Sequence, residues 1–343
     1  MRKTQISTNE SNYMFRLFYC KIFIQTFIFN EQRVIKMFKK YALILVLMLV
    51  CAFGAEAQIK KFEQTLETQV ALLSRGFSPA AIDGAMGRQT RQAIKGFQTS
   101  RGLEASGELN DETSEKLKLD GELYTTYTVK KEDLDGLKKN PDGWENMAKA
   151  ESLGYETILE LVAEKAHSYQ SLIRKLNPDI NWSNVEAGKE IKIPNVREFK
   201  PETEASKYKV LINERVVQVF DSGGKLIAQF PCTIAASKAK IPDGELKVEN
   251  VAKDPNYTFN PENFPESQAA QKIGKNLIIP PGANNPVGVV WIGLNKPGYG
   301  MHGTPEPEAI GQAASHGCFR LTNWDALTLL AMTDTGMPVE IVK

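Results

Sequence analysis

Histidine and cysteine are scarce in this 343-residue chain, with three of the first and four of the second. Cys20 and Cys51 fall in the first 57 residues, which read as a removable front segment. That leaves Cys232 and Cys318, too few for the disulfide framework on which small exported domains depend. An excess of charge of one sign is also missing, since the formal net charge is +1. Residues 1–57 hold eight Lys/Arg and three Glu, so the remainder has 34 basic and 38 acidic residues, a net of −4. A weakly acidic body excludes nucleic acid and anionic lipid surfaces as partners. Apolar residues make up 42% of the chain, enough to build real cores, so disorder on a large scale is excluded as well.

Long hydrophobic runs are equally few. One unbroken run, Tyr41 to Ala55, follows Lys39 and Lys40 and ends in Ala55-Glu56-Ala57. It is short for a bilayer span, which needs ~20 residues. A charged start, an apolar stretch and small residues at the end make an export signal, with cleavage expected after Ala57. No stable membrane span is expected after that cleavage; the alternative is an uncleaved anchor. The bulky Val50 before Cys51 argues against lipidation there. Residues 1–36 carry Arg16 and Lys21 among aromatic and apolar residues, unlike a signal peptide. Translation is therefore expected to begin at Met37.

Beyond the front, three segments separate. In 62–118 a helical stripe of Phe62, Leu66, Val70, Leu72 and Leu73 is followed by a glycine loop at Ile82–Gly87. A second helix is predicted over Thr90–Gln98, and Asn110 is placed to start a third. Residues 124–195 are charged and mostly helical, with His167 read as a structural histidine at the end of a helix over 156–167. A hydrophilic stretch from Arg197 to Lys207 reads as a linker. From Tyr208 the pattern turns to strands, with alternation at Tyr208, Val210 and Ile212 and a hairpin signal at Asp221-Ser222-Gly223-Gly224. More strands are expected near 246–251, 287–292 and 339–342, with one helix from about Trp324 to Met332 capped by Thr322 or Asn323. This last segment, 207–343, is expected to be a mainly-β sandwich or open barrel. Pro255 to Pro286 reads as a long flap or loop beside a site.

The chemistry gathers near the C-terminus, in Met301-His302-Gly303-Thr304 and Ser315-His316-Gly317-Cys318-Phe319-Arg320. A free thiol with a pKa near ~8.5 is mostly protonated at neutral pH and needs a base or a positive field. An imidazole titrating near ~6.5 is the natural partner, able to take and return the proton. Two of the three histidines stand just before Cys318. Gly317 lets backbone approach a substrate carbonyl, where successive amides can bind an oxyanion. Rival readings are a zinc site, which lacks third and fourth ligands at usable spacing, and a Cys232–Cys318 disulfide. A papain-like peptidase has the same parts, but there the cysteine precedes the histidine.

His302-Gly303 followed by Ser315-His316-Gly317-Cys318-x-Arg320 resembles the signature of the L,D-transpeptidase (YkuD-type) family. Asp221-x-Gly-Gly-Lys225, Pro242-Asp243-Gly244, Pro280-Pro281-Gly282 and Asn285-Pro286-x-Gly288 extend the likeness over 208–343. The resemblance implies Cys318 as nucleophile and His302 as general base, with the Gly303 carbonyl holding the imidazole. It implies an oxyanion hole of His316, Gly317 and the Cys318 amide, a supporting Ser315, and Arg320 as buttress or carboxylate contact. Ile241 stands where the family usually has Thr, and Cys232 where small aliphatics are common. The implied reaction is two-step acyl transfer on peptidoglycan stems, giving 3→3 cross-links, without metal or cofactor. The acceptor stays open between diaminopimelate, a D-amino acid, a lipoprotein lysine and water; the alternatives are an L,D-carboxypeptidase or cysteine peptidase on the same stems, or a non-catalytic wall-binding protein.

Ile82-Asp83-Gly84, Gly87, Phe97-Gln98, Gly102-Leu103, Gly107 and Leu109 resemble the small all-α peptidoglycan-binding domain. Leu176–Ile180 with Gly188–Pro194, and Tyr127-Thr128-Val129 as opening strand, resemble an α+β LysM module. Its spacing is stretched by extra residues that include Pro141-Asp142-Gly143. Peptidoglycan stems and glycan are the implied partners, and the periplasm or cell wall the implied location. N-terminal sequencing tests the front segment: the mature protein should begin at Gln58 and the pulse-labelled precursor at Met37. A precursor beginning at Met1 would exclude the internal start.

Overall fold

The computed structural model describes residues 56–343 except 266, 312–314 and 316. The expected signal run, Met37, Cys20, Cys51 and the site candidate His316 lie outside the described residues. Phe62–Lys343 forms one compact unit. Among the described residues, no helix is long and apolar enough to cross a membrane.

The helix α1 ends at residue 73 and buries Leu66, Val70 and Leu72 completely. It packs on α2 (Arg88–Ser100) and α3 (Asp111–Leu117), whose Asn110 cap accepts from the Thr113 amide. Two glutamines tie the loops to these helices. Gln69 donates to Asp83 Oδ1 at 2.8 Å and to Thr90 Oγ1 at 3.0 Å, and accepts from the Gly84 amide. Gln98, fully buried, donates to Thr113 Oγ1 and to the Glu108 carbonyl and accepts from Gly107. An amide able to donate and accept at once satisfies loop groups that water cannot reach. Asp83 and Gln98 of the motif therefore hold the fold itself.

The middle segment pairs β1 (Tyr124–Thr128) antiparallel with β2 (Glu190–Pro194) around α6 (Ile158–Lys165) and α7 (Gln170–Leu176). Ile158, Leu159, Val162, Ile173 and Ile191 make its core. Between β1 and α6 the extra residues form α4 (Lys131–Asp135) and α5 (Trp144–Met147). The predicted helix over 156–167 stops at Lys165, and His167 takes a left-handed φ of 50°. Its imidazole stacks on Trp324, ring centroids 5.1 Å apart.

The last segment is one eight-stranded sheet: β3 (Ala205–Leu211), β4 (Val216–Asp221), β5 (Leu226–Pro231), β6 (Glu245–Lys253), β9 (Val290–Leu294), β10 (Gly300–His302), β11 (Phe319–Arg320) and β12 (Pro338–Val342). The spatial order is β11-β10-β9-β6-β12-β3-β4-β5, antiparallel except for β10–β11 and β12–β3. Bridges Thr233↔Arg320 and Ala235↔Ser315 bring the chain beyond β5 to the opposite edge strand. The sheet thus curls onto itself, as an open barrel and not a two-sheet sandwich. Alternate side chains fill its interior, among them Tyr208, Val210, Val219, Phe230, Ile292, Met301, Phe319 and Val339. Helix α9 (Asn323–Leu330), capped by Thr322, closes one side with Leu329.

Two expectations need correction. The stretch from Pro255 to Pro286 is no bare loop, because it contains the ribbon β7 (Tyr257–Phe259)–β8 (Leu277–Ile279) and helix α8 (Gln268–Ile273) over a buried cluster shared with Leu153. Nor is the polar stretch 197–207 a bare linker between segments that do not touch. Phe199 packs on the sheet core, and Gln229 exchanges backbone hydrogen bonds with Gly76 and Ser78. Ser78 Oγ donates to the buried Asp325 Oδ2 at 2.8 Å.

Burial pushes the Asp325 carboxyl up from 3.8 to about 7, against hydrogen bonds from Ser78 and Thr322 that favour its charge. Between those two pH values the folded protein keeps a proton that the unfolded chain has released. The contribution of Asp325 to stability is therefore largest below pH 3.8 and falls until about 7. At about 1.36 kcal/mol per unit, the fall amounts to roughly 4 kcal/mol. Thermal melts at pH 4 to 7 should show a smaller decline in Asp325→Asn than in the wild type. Parallel curves would refute the assignment.

Candidate active site

Strand geometry brings the chemistry together. β10 and β11 run parallel with Met301 opposite Phe319 and His302 opposite Arg320. Side chains alternate along a strand, so the fully buried Met301 and nearly buried Phe319 point into the core. His302 and Arg320 then share the other face with Cys318, which immediately precedes β11. The loop carrying Cys318 is stitched on both sides. Arg320 and Thr233 exchange backbone hydrogen bonds at 3.0 and 2.9 Å, and Ser315 bonds to Ile234 and Ala236.

His302 is 4% exposed, and its Nδ1 lies 2.6 Å from the Gly303 carbonyl oxygen. A carbonyl only accepts, so Nδ1 is the donor and Nε2 is left as the base. Trp291, the register partner of His302 on β9, stacks over the ring at 5.8 Å. Burial depresses the imidazole to about 4; the Gly303 carbonyl opposes this and Arg320 adds to it. Burial also pushes the Cys318 thiol above its ordinary value, while the Gly300 amide and Arg320 pull it down. Both partners are neutral at pH 7. The thiol donates to the Gly298 carbonyl across 3.3 Å.

Ser315 Oγ donates to the Cys318 carbonyl at 2.5 Å and accepts from the Gly317 amide at 3.2 Å. Ser315 thus shapes the turn that carries Cys318, and the Gly317 amide, an expected oxyanion donor, is engaged by it in the free protein. Cys232 lies in the sheet core as a free thiol raised to about 12 by burial, away from any chemical role.

Asn323, which pattern reading took only for a possible cap, sits where Gly288 and Gly303 meet. Its Oδ1 accepts from the Val289 amide at 3.2 Å, its Nδ2 donates to the Ala283 carbonyl, and its side chain also bonds Glu164. Any Cβ on Gly303 would fall 2.2 Å from Asn323 Oδ1, and one on Gly288 2.0 Å from it. Gly288 also has a left-handed φ of 62°. No side chain fits where Gly288, Gly303 and Asn323 meet, and that contact fixes the carbonyl which orients His302. Asn285, fully buried, shapes the turn before it through the Pro280 carbonyl and the Val287 amide. Nothing local in the sequence distinguishes Asn323 from an ordinary helix start.

The family model described as the YkuD L,D-transpeptidase catalytic domain matches residues 207–341, and one for a peptidoglycan binding domain matches 61–117. A relative from Bacillus licheniformis, named as the L,D-transpeptidase YkuD, is 30% identical over 54% of this chain and 93% of its own. Its namesake from Bacillus subtilis is 24% identical over the same shares. Among solved structures, an L,D-transpeptidase from Mycobacterium smegmatis shares 18% identity over 46% of this chain and 64% of that one, TM-score 0.32. One from Xylanimonas cellulosilytica shares 13% over 81% and 92%, TM-score 0.34.

The electrostatics yield a direct test. With the imidazole depressed to about 4 and the thiol raised, no thiolate–imidazolium pair forms in the free protein. Alkylation of Cys318 by iodoacetamide should climb about tenfold per pH unit into the alkaline range, following the thiolate fraction. A rate plateau between pH 5 and 7 would instead reveal a preformed ion pair.

Proposed function

Because the chain belongs to the YkuD L,D-transpeptidase family, we propose that it is an exported enzyme that cross-links peptidoglycan stems through a Cys318 thioester. The observation that carries this reading is the shared strand face of Cys318 and His302, with Nδ1 of His302 held on the Gly303 carbonyl. A nucleophile, a base and a group that orients the base are the parts that acyl transfer needs.

In the first step the Cys318 sulfur attacks the carbonyl that follows the L-centre of diaminopimelate in a tetrapeptide stem. The proton passes from Sγ to His302 Nε2 on the way to the tetrahedral intermediate. The oxyanion is received by the Cys318 amide with Gly317 and His316, the Gly317 amide leaving Ser315 Oγ to do so. Collapse breaks the C–N bond, and His302 returns the proton to the departing D-alanine amine. In the second step the side-chain amine of another diaminopimelate attacks the thioester, and its proton passes through His302 to the regenerated thiol. The product is a 3→3 cross-link. Arg320, permanently charged, meets a stem carboxylate or braces the loop. No step calls for a metal or a cofactor.

The peptidoglycan-binding-like segment 62–118 holds the enzyme on the wall and raises the local concentration of stems. The β-α-α-β segment 124–195 supports the LysM likeness, and its extra residues serve the catalytic domain, as argued below. An enzyme with this substrate acts in the periplasm or cell wall, which agrees with the export signal read at 1–57.

Incubation of the protein with tetrapeptide muropeptides, with products read by mass, tests the proposal. Cross-linked dimers are expected, whereas loss of alanine alone would mean a carboxypeptidase. Cys318→Ala should abolish both products, and His302→Ala should slow them by about 10²–10⁴-fold, the usual worth of a general base. Wild-type turnover in either variant would overturn the assignment.

A further inference from the structure

The middle segment reaches into the flap in front of the site through a hook, residues 137–156. The hook is braced from its own side, where Asn140 Nδ2 donates to the Gly154 carbonyl at 2.8 Å and Lys138 to the Tyr155 carbonyl at 3.1 Å. Its far end docks on the flap backbone. Leu153 donates to the Pro281 carbonyl at 2.9 Å and accepts from the Asn284 amide at 2.8 Å. Between these two bonds lies Gly282, with φ of 144° and a virtual Cβ 2.1 Å from the Leu153 carbonyl oxygen. Only glycine admits that approach. Asn284 Nδ2 adds bonds to the Gly154 carbonyl and to Glu160 Oε1.

Trp144 then covers the flap ribbon. Its ring stacks on Phe259 at 4.4 Å and tilts against Tyr257 at 6.0 Å and Phe264 at 5.8 Å. Leu153, Phe259 and Ile279 are fully buried in the same cluster. A ribbon of three-residue strands with one six-residue helix has too little core to hold its own position. What fixes it is the hook. Tyr257 and Phe259 lie on one face of β7, and both ends of the flap are tied to the site: Asp254 donates to the Val289 carbonyl, Gly303 to the next carbonyl, Val290, and Asn323 Nδ2 to the Ala283 carbonyl. Tyr257 there feels the charges of Cys318 and Arg320.

We infer that Trp144, carried on the middle segment, is a positioning residue for acyl transfer, holding the flap so that Tyr257 walls the stem-binding cleft beside Cys318. The inference rests on the acyl-transfer reading and adds to it a residue outside the catalytic domain. A donor stem must pass the flap to reach the thiol, while a small alkylating reagent need not. Loosening the hook therefore weakens stem use and spares intrinsic thiol reactivity.

The test compares Trp144→Ala, Trp144→Phe and wild type in the full chain. Trp144→Ala should lose about tenfold in kcat/KM for the tetrapeptide stem, chiefly through KM, on the scale of a lost aromatic pair. Alkylation of Cys318 by iodoacetamide should stay equal or rise, and amide exchange over 255–282 should quicken. Trp144→Phe should recover most of the loss. Stem turnover within twofold of wild type in Trp144→Ala would overturn the inference. So would a parallel fall in alkylation, or a Phe variant no better than Ala. Should Trp144→Ala not fold, Tyr257→Leu leaves the hook intact and must show the same split between stem and reagent. A wild type that turns over no stem would sink the acyl-transfer reading alone, since exchange and alkylation still report on the hook.

Discussion

Everything at the site hangs on the parallel pairing of β10 with β11. Two short strands set His302 against Arg320 and leave Cys318 at the head of the second. So short a pair is held by its surroundings. Met301 and Phe319 drive inward to the sheet core, and the chain after β5 crosses to bond Arg320 and Ser315 from the far side. Closure of the sheet is therefore also assembly of the site. A register slip of one residue would turn the imidazole into the core and Met301 out.

The same closure that puts His302 and Cys318 on one face also buries them and leaves both uncharged. An imidazole depressed to about 4 and a thiol pushed upward are both uncharged, which spares the fold a buried ion pair and its desolvation cost. Reactivity must then come from geometry supplied in advance. The Gly303 carbonyl selects the tautomer, Trp291 fixes the ring plane, and the contact of Gly288, Gly303 and Asn323 holds the carbonyl. Precision of this kind requires a rigid surround, and here that surround reaches beyond the catalytic sheet. Glu164 of the middle segment bonds Asn323, and Asp325, two residues on, takes Ser78 of the first segment.

The three segments are thus distinct in ancestry of pattern and joined in structure. Trp324 lies against His167, and Gln229 clasps Gly76, Ser78 and the Gln92 carbonyl. A hydrophilic stretch such as 197–207 looks like a tether because its polar residues dominate, yet Phe199 within it is an anchor on the core. One aromatic residue in a polar context carries little weight in pattern reading and much in packing.

Local chemistry made a good deal of this protein legible without coordinates. Cys318 and His302 stand out as candidates because thiol activation requires an imidazole and the chain has few to offer. Alternation at Tyr208, Val210 and Ile212, the turn at Asp221–Gly224 and the caps at Asn110 and Thr322 are short-range effects, and each lies where its pattern puts it. What sequence could not display are pairings between distant residues. The role of Asn323 depends on two glycines far upstream, and the flap depends on Trp144, more than a hundred residues before it. The ribbon β7–β8 was hidden because a strand of three residues has no periodicity to detect. Residue type and spacing determined the family and the chemistry proposed for this chain. Tertiary structure decided how the groups are held, because burial, tautomer and close backbone approach exist only once remote segments touch.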